Sequence, residues 1–149
     1  MISISDPLYG LSTFASNAVS AIFDRVILNL SAVNSRINVG ESAHVAVAGI
    51  YQYDGSVWNG NFALNDTLEK NEVGRYEFTV TSLTDPNYNL TAFESNSVPI
   101  IWDRVNLTLS CTQERISVGS EAPIVWNGQY EFDQATFQGN ITLNDSVVK

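Results

Sequence analysis

Apolar and polar side chains alternate along most of this chain with a period of two. Val26, Leu28 and Leu30 are interleaved with Ile27 and Asn29, and Ala43, Val45, Val47, Gly49, Tyr51 and Tyr53 share one phase. Tyr76, Phe78 and Val80 alternate with Arg75, Glu77 and Thr79. Such alternation marks strands with one buried and one wet face. Arg36–Val39 predicts a further short strand. Trp58, Phe62 and Leu64 predict another strand or pair, with Gly60 as a bulge or kink, and Val98–Trp102 closes the series. Turn signals at Gly40-Glu41, Asp54-Gly55, Asn65-Asp66 and Asp85-Pro86 punctuate these runs. No stretch reads as a helix. The pattern predicts an all-β fold, about seven short strands to a unit, and a sandwich rather than a barrel.

The pattern also repeats. Displaced by 79 positions without a gap, Met1–Lys70 aligns with Val80–Lys149, and more than two in five of the 70 positions are identical. Val19-Ser-Ala-Ile-Phe-Asp-Arg-Val-Ile-Leu-Asn-Leu-Ser31 answers Val98-Pro-Ile-Ile-Trp-Asp-Arg-Val-Asn-Leu-Thr-Leu-Ser110. An internal repeat overrides the single-domain reading that length alone would suggest. It divides the chain into residues 1–23, the terminal strands of a preceding repeat, with Val19–Phe23 read as a strand; residues 24–102, a complete domain; and residues 103–149, an incomplete second domain. The last segment lacks counterparts of Asn71–Val80 and of the closing strand, whereas residues 1–22 correspond to 80–101.

Composition narrows the partners. The formal net charge is −9, which removes the electrostatic basis for binding nucleic acid or an anionic bilayer. No apolar run approaches the roughly 20 residues needed to span a membrane, and no basic-then-apolar leader opens the sequence. Any export signal is expected outside it. The single cysteine, Cys111, aligns with Ala32, so disulfides do not hold the fold and Cys111 is expected to be a small buried side chain.

Val73-Gly-Arg-Tyr-Glu-Phe-Thr-Val80 resembles the Gly-x-Tyr-x-aromatic-x-Val strand near the end of immunoglobulin-like domains. The larger pattern is Trp-Asp-Arg-Val, Arg-Ile-x-Val-Gly, Gly-x-Tyr-x-Tyr/Phe-Asp and Leu-Asn-Asp. It is similar to tandem Ig-like repeats of large prokaryotic, above all archaeal, cell-surface proteins. The resemblance implies tandem Ig-like β-sandwiches on the outside of a cell, a corner role for Tyr76 that ties its strand to the preceding loop, and no enzymatic activity.

Residues that recur in both copies are expected to determine the fold. Asp24, Arg25, Asp54, Asn65 and Asp66 recur as Asp103, Arg104, Asp133, Asn144 and Asp145 and read as turn and junction chemistry. Phe23, Asp24 and Arg25, with Trp102, Asp103 and Arg104, form the expected seam between domains, the aromatic packing the junction and Asp-Arg fixing the turn. Asp24 and Asp103 are also the candidates for a seam calcium ion, though the ligand spacing of known calcium loops is absent. No other cofactor is implied. His44 is expected to be exposed, and Trp58, Trp102 and Trp126 to lie in the core. Asn29, Asn65, Asn89, Asn106, Asn140 and Asn144 begin Asn-x-Ser/Thr sequons and are the glycosylation candidates.

The expected function is mechanical: a spacer, stalk, surface-layer or filament element whose partners are other copies or neighbouring repeats. Residues 1–22 would complete residues 103–149 of a neighbour by strand addition. An adhesin or carbohydrate-binding module is the alternative, with exposed aromatics on the loops at 81–97 or 127–137 as its mark.

Overall fold

The computed structural model describes residues 5–144 and 147. Residues 1–4 of the expected donor segment, and 145, 146, 148 and 149 of the second unit, lie outside these. The described residues are all-β, without a helix. Nine strands build the first unit: β1 (Val26–Ala32), β2 (Arg36–Asn38), β3 (Val45–Tyr51), β4 (Val57–Trp58), β5 (Asn61–Leu64), β6 (Gly74–Phe78), β7 (Val80–Thr84), β8 (Phe93–Ser95) and β9 (Val98–Asp103). Two more, β10 (Val105–Cys111) and β11 (Ile124–Tyr130), begin the second.

One sheet has the order β4-β3-β1-β8 and another β2-β9-β6, while β5 and β7 pair separately. The two larger sheets contribute to one core. Val26, Leu28 and Leu30 of β1 and Tyr51 of β3 meet Val98, Ile100 and Trp102 of β9 and Phe78 of β6. Trp102 is fully buried, its ring edge-on to Tyr76 at 5.5 Å and its Nε1 donating to the Glu41 carbonyl at 2.8 Å. Gly49 makes room for Trp58: a Cβ there would stand 2.7 Å from the indole.

Three expected elements differ. Tyr76, Phe78 and Val80 do not lie on one strand; β6 pairs with β9 and β7 with β5. The switch falls at Thr79, whose N–H donates to the Asn65 side chain while Asn65 Nδ2 donates to the Glu77 carbonyl. The bulge between Ala63 and Leu64 sits at the same place, where the extra residue turns the chain from one sheet to the other. A strand also appears inside the expected loop at 81–97. Here β8 lies parallel to β1, and the Asn96 carboxamide extends the pairing by bonding both the N–H and the carbonyl of Leu30. Finally, Val19–Phe23 forms no strand in this chain and is exposed, because nothing lies beside it to complete a ladder.

Tyr76 does not hold the corner. Its ring packs on Trp102, and the tie from strand to loop comes from Tyr51, whose hydroxyl donates to the buried Asp85 carboxylate at 2.5 Å. Asp85 also accepts from the N–H groups of Asn87, Tyr88 and Leu90, so one carboxylate organises the loop from 85 to 90. Burial pushes its pKa up, but the Tyr51 hydroxyl and the three N–H groups prevail and hold it below the usual carboxylate range.

Candidate functional site

The second unit reproduces the first hairpin of the sandwich bond for bond. Val105↔Tyr130 in the β10–β11 ladder matches Val26↔Tyr51 in β1–β3. Asp24 Oδ1 accepts from the N–H groups of Arg25 and Tyr53, and Asp103 Oδ1 accepts from those of Arg104 and Phe132. The N–H of Gln52 donates to the Arg25 carbonyl as that of Glu131 donates to the Arg104 carbonyl. Gly128 faces Phe137 as Gly49 faces Trp58.

What the copy lacks is its cover. Leu28 is 2% exposed and its counterpart Leu107 is 48% exposed. Leu109 and Trp126 are likewise open. Two expectations fail for this reason. Trp126 is partly exposed on an uncovered face, touching Phe137 edge-on at 6.2 Å, and Cys111 is exposed where Ala32 is packed against a core. Residues 115–117 also form no strand, because their counterpart β2 exists only by pairing with β9.

A second exposed apolar surface lies at the other end of the chain. Leu8, Tyr9, Leu11, Phe14, Val19, Ile22 and Phe23 are all exposed. The counterparts of Leu11, Phe14, Val19 and Phe23 (Leu90, Phe93, Val98 and Trp102) fill or pack against the core, whereas those of Leu8 and Tyr9 (Asn87 and Tyr88) are exposed there too. Within this segment the Asp-Pro turn is already made: Asp6 Oδ1 accepts from the N–H groups of Leu8 and Tyr9, as Asp85 does from Asn87 and Tyr88. Asp6 is the counterpart of a buried carboxylate, displayed on the surface in its finished turn.

The expected seam residues divide. Trp102 belongs to the core of the first unit and does not pack the junction, and Phe23 is 96% exposed and packs nothing among the described residues. Asp103 is at the junction and buried. The residue that closes this seam is Arg36, from β2. Its guanidinium donates to Asp133 at 2.5 Å, stands 3.5 Å from Asp103 Oδ2, and lies over the rings of Tyr130 and Phe132 at 5.0 and 6.0 Å. The hydrogen bond to Asp133 raises the Arg36 pKa further and lowers that of Asp133. Sequence reasoning placed Arg36 in a strand and missed this role; its recurrence as Arg115 was the available signal. Arg25 pairs with Glu94, and Arg104 with Glu131 at 2.5 Å, each within its own unit.

No group of three or more His, Cys, Asp or Glu that could hold a metal ion occurs among the described residues. Asp103 Oδ2 stands 3.5 Å from the Arg36 guanidinium. His44 is exposed. Asn29, Asn89, Asn106, Asn140 and Asn144 are exposed. Asn65 is too, and its carboxamide is held at the sheet switch, Oδ1 accepting from the Thr79 N–H and Nδ2 donating one hydrogen to the Glu77 carbonyl. The chain matches no family model, no curated protein and no solved structure.

Proposed function

We propose that this chain is a structural module of Ig-like β-sandwich repeats on the outside of a cell, and that copies join head to tail by strand donation. Residues 5–23 of one copy cover the open face of residues 103–147 of the next. The observation that carries the reading is the matched pair of surfaces. Leu11, Phe14, Val19 and Phe23 have counterparts at a 79-residue displacement that lie in or against the first unit's core (Leu90, Phe93, Val98 and Trp102), and the acceptor hairpin keeps the register of the strands those counterparts cover.

The first unit supplies the expected contacts. Phe14 would lie beside Val105 as Phe93 lies beside Val26, and Asn17 would bond the Leu109 backbone as Asn96 bonds that of Leu30. Tyr9 would meet Tyr130 edge-on as Tyr88 meets Tyr51, with the Tyr130 hydroxyl reaching Asp6. The joined unit would hold counterparts of β1 to β5, β8 and β9, while neither segment offers a counterpart of β6, so the joint is weaker than the intact sandwich. Donor and acceptor lie at opposite ends of the intact unit, which makes the contact heterologous and open-ended. A donor of residues 5–23, fully extended, reaches about 63–68 Å, and serving its own acceptor would require a sharp fold-back. The sequons add an extracellular setting. Trp58 and Trp102 are buried, while the exposed Tyr88 and Phe132 on the loops at 81–97 and 127–137, with Trp126 open, are what the adhesin alternative would use.

Static light scattering on the 149-residue chain should give a mass that rises with concentration without settling at a fixed stoichiometry. Deleting residues 1–23 should leave monomers at every concentration. An unchanged mass distribution after the deletion would rule the donor role out.

A further inference from the structure

A second contact should form where two copies meet, and the seam inside the chain is its template. Arg36 clasps the tip of the β10–β11 hairpin through Asp133, Asp103 and the rings of Tyr130 and Phe132. Each of these groups has a counterpart 79 residues away. The counterparts of the clasped tip are Asp54, Asp24, Tyr51 and Tyr53, at the far end of the first unit, and the counterpart of the clasp is Arg115 in the second.

In this chain those two halves are apart; Tyr51 is buried and bonded to Asp85, which leaves Asp54, Asp24 and Tyr53 as the part of the tip that can be clasped. Tyr53 and Arg115 are exposed, and among the described residues neither Asp54 nor Arg115 has an ion pair. The hairpin tip is nonetheless finished: Asp24 Oδ1 accepts from the Tyr53 N–H at 2.9 Å, and Asp54 Oδ1 accepts from the N–H and hydroxyl of Ser56 at 2.9 and 2.6 Å. Those two bonds hold the Asp54 pKa below the usual range. A groove of about 280 Å³ lies there, lined by Ile22, Asp24, Tyr53, Asp54, Tyr88 and Leu90. It is acidic and aromatic, the chemistry that a guanidinium recognises through paired hydrogen bonds and its flat face.

We infer that Arg115 of one copy occupies this groove on the next, bonding Asp54 and lying over Tyr53, so that the joint between copies repeats the seam within one. The inference rests on the head-to-tail reading, because the donor segment 5–23 leads straight into Asp24 and so brings its own hairpin tip beside the acceptor's Arg115. It adds what strand donation alone does not: a fixed angle between successive copies, set by a charged and aromatic contact outside the sandwich core.

The test compares Arg115→Asp, Asp54→Arg and the double variant in the 149-residue chain, with the 1–23 deletion alongside, by concentration-dependent light scattering. Each single reversal should weaken association on the order of tenfold, since both replace the ion pair with like-charge repulsion and Arg115→Asp removes the cation–aromatic contact as well. The double variant, with the charges exchanged, should recover most of the loss. If deletion gives monomers while both single reversals associate like the parent, the clasp is overturned and strand donation stands. If the deletion changes nothing, strand donation falls and the clasp with it.

Discussion

Replacing Trp102 by Ala should destabilise the chain by about 3–5 kcal/mol, while the same change at its counterpart Phe23 should cost less than about 0.5 kcal/mol. The two positions have one role in the repeat and opposite surroundings in this chain. Trp102 is fully buried against Tyr76 and Phe78 and donates to the Glu41 carbonyl. Removing it opens a cavity at the centre of the first sandwich and leaves that carbonyl unpaired. For a sandwich of about this size the loss corresponds to a fall in melting temperature of roughly 12 °C or more, readable by calorimetry. Phe23→Ala should instead show itself in light scattering, as weaker association. Equal destabilisation by the two changes would mean that Phe23 is already packed within its own chain.

The second large effect belongs to Asp85. Asp85→Ala removes the acceptor of the Tyr51 hydroxyl and of three backbone N–H groups, leaving four donors in a half-buried loop; the expected cost is roughly 3 kcal/mol or more. Asp6→Ala, at the counterpart that lies outside the core, should again cost less than about 0.5 kcal/mol. Asp85 also carries a pH dependence. Its folded pKa lies below its unfolded value, so its contribution is complete above the ordinary aspartate value of about 3.9 and is lost as the pH falls through the lower, folded value. Melting curves of the parent and Asp85→Ala should therefore differ most above about pH 4 and converge as the solution is made more acid. A gap that stays constant down to pH 2 would show that the carboxylate's charge is not what the loop depends on.

Much of this architecture was legible in the residues because it is periodic. The two-residue alternation located β1, β3 and β9, and the 79-residue displacement predicted a second unit that begins like the first. What alternation could not show was pairing. Tyr76, Phe78 and Val80 keep one phase across Thr79, so nothing in their pattern reveals that the chain changes sheets there; the Asn65 carboxamide and the bulge at Ala63/Leu64 impose the change. Nor could it show cover. Trp126 and Cys111 have inward phase, but phase says only which way a side chain points, and among the described residues no second sheet covers that side.

The candidate site was readable only in part, for a related reason. The Asp-Arg of the seam recurs and was found, whereas Arg36 was absorbed into a strand, since an arginine on a strand's wet face looks like any solvated charge. Its partners Tyr130, Phe132 and Asp133 lie nearly a hundred residues away in sequence. Asp85 was read as one half of an Asp-Pro turn, which it is. Its bond to Tyr51 spans 34 residues and leaves no local trace.

The register of donation is the most exacting part of this account, and a disulfide reads it directly. By the parallel pairing of Ile27 with Glu94, Ala15 of one copy should lie beside Asn106 of the next, within the range of Cα separations a disulfide bridges. With Cys111→Ala removing the native thiol, the combined variant Ala15→Cys and Asn106→Cys should oxidise to a ladder of covalent oligomers on a non-reducing gel, collapsing to one band on reduction. Exclusive formation of a monomer closed by its own disulfide, or no disulfide at all, would contradict donation between copies.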